Sequence, residues 1–235
     1  MVLVRDIGFV SAFWGGFSAF FSAWQLCIMQ ISPFFIAFSV GFYLTEAKHS
    51  KAPLKSLIVV CAGYIVVFSI VFAFLAIPRF GLSRYLFYNK ETLKIGAALF
   101  VGLSASCLIL FGLFKKWRIN SALSLVGGIL LGASLAVAYS PCITPAMSEI
   151  MNFAGKPANV MKGFYLMLAY GAGLSISFAV TGTVIALALD RLLKKNSVRN
   201  AIIVFSSLVL LGLTLLLVSG LMSSYKSFLV GFFLD

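Results

Sequence analysis

The feature that most constrains this chain is a series of six long apolar stretches separated by short basic connectors. They run approximately over residues 9–44, 54–77, 93–114, 121–151, 159–189 and 200–222. About 20 consecutive apolar residues are enough for a helix to cross a bilayer. Charged residues make up only 10% of the chain, whereas a soluble domain has about 25%. The sequence therefore predicts an all-α membrane protein with six transmembrane helices.

The net charge of +12 is explained by the membrane, because Lys and Arg cluster in the connectors, where lipid head groups lie. The charge therefore does not indicate binding of nucleic acid. The connectors after the first, third and fifth stretches carry 10 Lys and Arg, and the opposite side, with both termini, carries 8. The positive-inside rule then predicts a multi-pass protein of the cell membrane with both termini outside the cytoplasm.

The fourth apolar stretch repeats the plan of the first, since each begins with small residues and then places a cysteine beside proline. The two cysteines, Cys27 and Cys142, are 115 residues apart, close to half the chain. Three spans per half is an odd number, so the second half must enter the membrane upside down. The sequence predicts one transmembrane domain, residues 1–235, built from two inverted three-helix repeats at about 7–118 and 119–235, each with a broken first helix.

Prolines mark the predicted breaks. Residues 140–145 read Ser-Pro-Cys-Ile-Thr-Pro, and in the first repeat Pro33 follows Cys27. Proline lacks the backbone N–H and clashes with the preceding turn, so we expect Pro33, Pro141 and Pro145 to break or kink their helices. Broken backbone is tolerated inside a bilayer only where it is buried in protein or lines a wet cavity. A thiol at such a place is a candidate for chemistry.

Cys27 and Cys142 occupy equivalent places in the two repeats. If the repeats pack about a pseudo-two-fold axis, the cysteines can meet near it, and a disulfide needs Cα atoms about 4.4–6.8 Å apart. The N-terminus of a half-helix would also stabilise a thiolate. The alternative is that they pack as small apolar residues, which is the expectation for Cys61 and Cys107 in the plain stretches.

Three polar residues near the breaks are candidate proton or cavity partners. Glu149 follows Cys142 by seven residues, on the same helical face if that segment is helical. Gln25 and Gln30 flank Cys27, where they either line a wet cavity or hydrogen-bond neighbouring helices. The sequence has no metal-type spacing of Cys or His and no Gly-rich phosphate loop, so neither a metal nor a cofactor is expected.

The Cys/Pro breaks resemble those of the CcdA family of cytochrome c biogenesis proteins and of the related membrane domain of DsbD. Residues 140–145 match the family's Pro-Cys-x-x-Pro-type motif, and residues 169–174, Ala-Tyr-Gly-Ala-Gly-Leu, resemble its fifth span. The first half departs from the family's Pro-Cys-x-x-Pro-x-x-Pro. Residues 26–33 read Leu-Cys-Ile-Met-Gln-Ile-Ser-Pro and retain the cysteine and the last proline, which makes the first break gentler.

The resemblance implies a thiol–disulfide oxidoreductase that acts as a transmembrane electron carrier. Proteins of this family take reducing equivalents from cytoplasmic thioredoxin and pass them to extracytoplasmic thioredoxin-like proteins, in cytochrome c maturation or a related reductive pathway. Cys27 and Cys142 would carry the electrons by reversible disulfide exchange and alternating access, without flavin, quinone or metal.

The residues alone leave two alternatives open. One is an inverted-repeat small-solute transporter with incidental cysteines, whose support is Gln25, Gln30, Glu149 and the broken spans. A shortage of charges within the membrane counts against it. The other is a non-catalytic scaffold for cytochrome assembly, which leaves the symmetric cysteines unexplained.

Overall fold

The structure is a computed structural model. It describes residues 8–21, 26–49, 52–77, 89–113, 121–139, 145–192, 196–221, 224–225 and 227–228. These residues form eight principal α-helices and a 3-10 turn at Pro157–Asn159. The helices are α1 (Phe9–Phe21), α2 (Leu26–His49), α3 (Pro53–Ala76), α4 (Lys90–Leu113), α5 (Ser121–Tyr139), α6 (Pro145–Ala154), α7 (Val160–Leu192) and α8 (Asn196–Val218). The described part of the chain is therefore all-helical, as the sequence predicts.

Three helices in the described ranges are long and apolar enough to cross a membrane. They are Pro53–Phe74 in α3, Val160–Leu192 in α7 and Ser197–Val218 in α8, and shorter apolar helices lie at Phe9–Phe21, Ile95–Ser106 and Leu125–Val137. Large apolar side chains also cover the outer surface, including Phe205 at 66% exposure and Leu215 at 70%. Lipid, rather than water, suits such a surface, so the fold is compatible with a membrane protein.

Proline sets two of the helix ends directly. α3 begins at Pro53 and α6 begins at Pro145, the position at which the missing N–H and the fixed φ of proline are tolerated best. α3 ends at Ala76, and the C-cap residue Ile77 has an extended backbone, with φ of −102° and ψ of 106°. The next residue in the sequence is Pro78, which biases the residue before it towards extended backbone.

α1 and α7 pack side by side and run in the same direction. A Cβ added to Gly173 of α7 would overlap the carbonyl oxygen of Phe13 in α1. One turn further along both helices, the Ser177 hydroxyl donates to the carbonyl of Phe17 at 3.1 Å. Gly16 of α1 touches the α7 backbone equally closely. Small residues let two helices approach to backbone contact, which is the usual basis of helix packing in membranes.

α3 and α5 form a second parallel pair of the same kind. A Cβ on Gly128 of α5 would overlap the carbonyl oxygen of Val60 in α3, and one on Gly132 would come within 2.8 Å of the carbonyl oxygen of Tyr64. The residue numbers rise together along the contact, so the two helices point the same way. Glycine again allows the backbones to meet.

α3 and α7 cross between these two pairs and run in opposite directions. The Phe74 and Phe164 rings lie 5.0 Å apart at one end of the contact. Further along, the Ser69 and Ser175 hydroxyl oxygens are 3.5 Å apart. α2 also lies against α7, in the same direction as that helix, and it runs antiparallel to α3 and α8.

An aromatic cluster joins α1, α2, α3 and α7 in the core. The Phe178 ring lies 4.9 Å from Phe20 and 5.6 Å from Phe35, and Phe35 lies 4.6 Å from Tyr64. Phe178 is 2% exposed. The cluster therefore fixes the relative height of four helices.

We expect Phe178→Ala to destabilise the folded protein by about 3 kcal/mol or more, because it leaves a cavity where three helices meet. Thermal unfolding in detergent measures the effect. Phe205→Ala removes an equally large ring from the exposed surface of α8 and serves as the control, with little expected change. Equal loss in the two variants would contradict the packing described here.

Candidate functional site

The structure describes the backbone of Cys27 but not Cys142. Cys27 is the second residue of α2, and its side chain is not among the described ones. Cys142 and Pro141 fall in residues 140–144, and Gln25 falls in residues 22–25, all outside the described residues. Gln30 lies in α2, but its side chain is likewise not described. The pairing of Cys27 with Cys142 stays a prediction.

Two described helices fall within the first apolar stretch of each predicted repeat. They are α1 (Phe9–Phe21) and α2 (Leu26–His49) in the first, and α5 (Ser121–Tyr139) and α6 (Pro145–Ala154) in the second. Residues 22–25 and 140–144 between them lie outside the described residues. The predicted breaks there stay a prediction.

The structure shows no break of α2 at Pro33, and a kink there stays a prediction. Pro33 is the eighth residue of α2, and the helix continues through it. A proline inside a helix removes one hydrogen bond to the preceding turn, and spanning helices tolerate this when neighbouring helices support the backbone. Here the following residues Phe34, Phe35 and Phe38 are buried against the core, so packing maintains the helix.

Glu149 lies in the middle of α6 with its side chain exposed, whereas Met147 and Ile150 of the same helix are buried. The Glu149 side chain therefore points away from the packed core of the protein. Its proposed relation to the Cys142 thiol stays a prediction.

The beginning of α6 lies beside the middle of α1 and α7. A Cβ added to Gly15 of α1 would lie 3.4 Å from the Cβ of Ala146 and 3.9 Å from the ring of Tyr170. Ala146 is the second residue of α6 and follows Cys142 by four positions. The start of α6 therefore lies at the depth of Tyr170, inside the 33-residue helix α7.

The beginning of α2 reaches a similar depth from another direction. Phe35 packs against Phe178, and Cys27 precedes Phe35 by eight residues, which is about 12 Å along a helix axis. Because α2 and α7 run in the same direction, the Cys27 backbone lies roughly level with Tyr170. The starts of α2 and α6 thus share one depth, about a third of the way along α7.

A buried pair of hydroxyl groups lies at this depth in the crossing of α3 and α7. Ser69 and Ser175 are both buried, and besides their mutual contact Ser69 donates to the carbonyl of Ile65 at 2.6 Å and Ser175 to that of Ala172 at 3.1 Å. The sequence analysis did not identify this pair. Its signal was a serine in the second apolar stretch of each half, 106 residues apart.

Cys61 lies apart from this level, nearer the start of α3 and further along α7. Cys61 in α3 is a free thiol, 8% exposed, in contact with the Thr183 hydroxyl of α7. Cys107 lies in α4 with its side chain undescribed. Among the residues that the structure describes, no group of three His, Cys, Asp or Glu side chains is placed to hold a metal ion.

Comparisons with known proteins place this arrangement in context. The chain is 22% identical over 226 residues to the cytochrome c-type biogenesis protein CcdA of Halalkalibacterium halodurans, a match that covers 93% of each chain. It is 26% identical over 169 residues to the thiol:disulfide interchange protein DsbD of Ralstonia nicotianae, covering 66% of this chain and 26% of that protein. No family model and no solved structure matches the chain. The two relatives confirm the resemblance to CcdA and DsbD-like proteins that the Cys/Pro motif predicts.

Proposed function

We propose that this protein is a transmembrane thiol–disulfide electron carrier whose redox-active pair is Cys27 and Cys142. The observation that carries the proposal is the shared depth of the helix starts that follow the two breaks, one holding Cys27 and the other adjoining the Cys142 segment. The relatives named for cytochrome c biogenesis and thiol:disulfide interchange support the same chemistry.

Helix directions support the proposed inverted repeat, with halves at about 7–118 and 119–235 and six spans. In such a fold the first helix of each half packs on the second helix of the other half, and the two helices run the same way. The pairs α1 with α7 and α3 with α5 have this relation, and each uses glycine for its contact. The antiparallel crossing of α3 with α7 lies where the pseudo-two-fold axis would pass.

The proposed reaction is a pair of disulfide exchanges. A thiolate of reduced cytoplasmic thioredoxin attacks the Cys27–Cys142 disulfide, forming a mixed disulfide and releasing one of the two cysteines as a thiolate. The second thioredoxin thiol then displaces the other cysteine, which leaves oxidised thioredoxin and a reduced Cys27/Cys142 pair. Two electrons and two protons are transferred, and the same exchange in reverse reduces an extracytoplasmic thioredoxin-like protein.

Each exchange requires a partner to reach the cysteines from its own side of the bilayer. We therefore propose alternating access, in which the two halves rearrange about the glycine contacts of α1 with α7 and α3 with α5. The bias in Lys and Arg supports a multi-pass arrangement with both termini outside. The outside acceptor would serve cytochrome c maturation or a related reductive pathway.

Thiol trapping of the purified protein tests the proposal. The oxidised protein is treated with reduced thioredoxin under native conditions, and free thiols are then alkylated after denaturation and mapped by mass spectrometry. We expect two additional cysteines to become alkylated, namely Cys27 and Cys142, while Cys61 is alkylated in both samples. Two newly alkylated thiols at other positions, or none, would contradict the assignment.

A second candidate is a small-solute transporter with incidental cysteines. The buried Ser69–Ser175 pair favours it, because hydroxyl groups at the crossing of α3 and α7 can bind a polar solute. Solute uptake that persists after thiol blocking, together with no response to thioredoxin, would favour this candidate over electron transfer.

A further inference from the structure

We infer that a polar latch closes one end of the helix bundle and must open before a partner on that side can reach the interior. The inference rests on the proposed alternating access. The latch residues come from four helices: Tyr43, Glu46 and Lys48 of α2, Ser56 of α3, Asp190 of α7, and Arg199 and Asn200 of α8.

α2 supplies the centre of the latch. The Tyr43 hydroxyl is hydrogen-bonded to Asp190 of α7. One turn later, the Glu46 carboxylate accepts a hydrogen bond from Ser56 of α3 at 3.2 Å. Lys48 donates through Nζ to the side-chain oxygen of Asn200 in α8. A stretch of six residues in α2 therefore connects to three of its neighbours, α3, α7 and α8.

The ion pair between α7 and α8 completes the ring. Arg199 Nη2 lies 2.7 Å from Asp190 Oδ1, and the two side chains are 19% and 28% exposed. Asp190 thus accepts from both Tyr43 and Arg199. Because α2 and α7 end here while α3 and α8 begin here, all four contacts lie at one end of the bundle, next to two of the more basic connectors.

The latch region contains a buried carboxyl group and buried polar atoms that lack hydrogen-bond partners. Glu46 is only 4% exposed, and a carboxylate held out of water is costly unless it is paired or hydrogen-bonded. Within the described residues, Thr45 Oγ1 and Arg199 Nε are buried without a hydrogen-bond partner. A partly satisfied network gains less from staying closed than a complete one, which suits an element that must alternate between closed and open.

Cys61 lies beneath this latch and can report its opening. It follows Ser56 by five residues in α3, about 7.5 Å along the axis. Its neighbour Thr183 precedes Asp190 by seven residues in α7. Opening the latch would release α2 from Ser56 of α3 and from Asp190 of α7, and so open a path from that end to a thiol that is 8% exposed in the closed form.

The test uses a variant whose single cysteine is Cys61, obtained with Cys27→Ser, Cys107→Ser and Cys142→Ser. Asp190→Asn and, separately, Glu46→Gln are added, and alkylation by a membrane-impermeant maleimide is timed in vesicles of each orientation. We expect each added change to accelerate alkylation of Cys61 about tenfold from the latch side, as the loss of a charged hydrogen bond warrants. From the other side the rate should stay unchanged.

Lys162→Gln is the matched control, since Lys162 lies at the opposite end of the bundle, where its ammonium group contacts the Phe153 ring at 5.6 Å. It should leave the alkylation rate unchanged. Unaltered alkylation in both folded latch variants, or equal acceleration from both sides, would overturn the inference. Cys61 takes no part in the proposed disulfide exchange, so the latch and the proposed function can fail separately. If the latch variants accelerate Cys61 alkylation but the wild-type protein does not react with reduced thioredoxin, the proposed function is refuted and the latch is supported.

Discussion

Replacing either Cys27 or Cys142 with serine is expected to abolish electron transfer across the membrane. A serine hydroxyl cannot form a disulfide, so a single remaining thiol has no partner with which to store two electrons. The measurement is the reduction of an enclosed disulfide protein by proteoliposomes supplied with reduced thioredoxin outside and NADPH-coupled thioredoxin reductase. We expect the rate to fall to that of protein-free liposomes in either variant.

Cys61→Ser and Cys107→Ser are the matched controls, because these cysteines lie in the uninterrupted helices α3 and α4. Both should retain most of the wild-type rate. Persistent transfer in the Cys27→Ser/Cys142→Ser double variant would remove the pair from the mechanism. The single variants add information when they are mixed with oxidised thioredoxin. The remaining thiolate attacks the thioredoxin disulfide, forms a mixed disulfide and releases a thioredoxin thiolate, so the variant that gives this product retains the cysteine that exchanges with thioredoxin.

Helix positions were largely predictable from the sequence because apolar stretches, basic connectors and prolines act locally. The second stretch, at 54–77, corresponds to α3 at Pro53–Ala76, and the sixth, at 200–222, overlaps α8 at Asn196–Val218. Proline explains the start of α3 and of α6. At Pro33 the helix continues, and buried phenylalanines packed against other helices support it there.

The site was less predictable because its parts meet only through tertiary packing. The sequence showed small residues at Gly15 and Gly16, but not that Gly15 would lie beside Ala146. It also assigned Asp190 and Arg199 to a connector between spans, since charges near a helix end are usually solvated. Their pairing with each other and with α2 depends on how α7 and α8 are placed in space.

Alanine substitution at the adjacent glycines Gly127 and Gly128 of α5 is expected to have very different effects on stability. Gly127 and Gly128 both lie inside α5, yet a Cβ on Gly127 has nothing within 4 Å, whereas one on Gly128 would overlap the carbonyl oxygen of Val60. The obstacle is the backbone of α3, which cannot turn aside as a side chain can. Gly128→Ala must therefore separate the two helices.

We expect Gly128→Ala to destabilise the protein by about 3 kcal/mol, at the upper end of the cost of overpacking. Gly127→Ala should instead be neutral or stabilising by up to about 1 kcal/mol, since alanine favours a helix over glycine. The fraction that stays monodisperse after heating in detergent measures both, and equal effects would refute the close contact of α3 with α5. If the two halves are related as proposed, Gly16→Ala should match Gly128→Ala, because α1 corresponds to α5 and a Cβ on Gly16 meets the Tyr170 carbonyl of α7 in the same way.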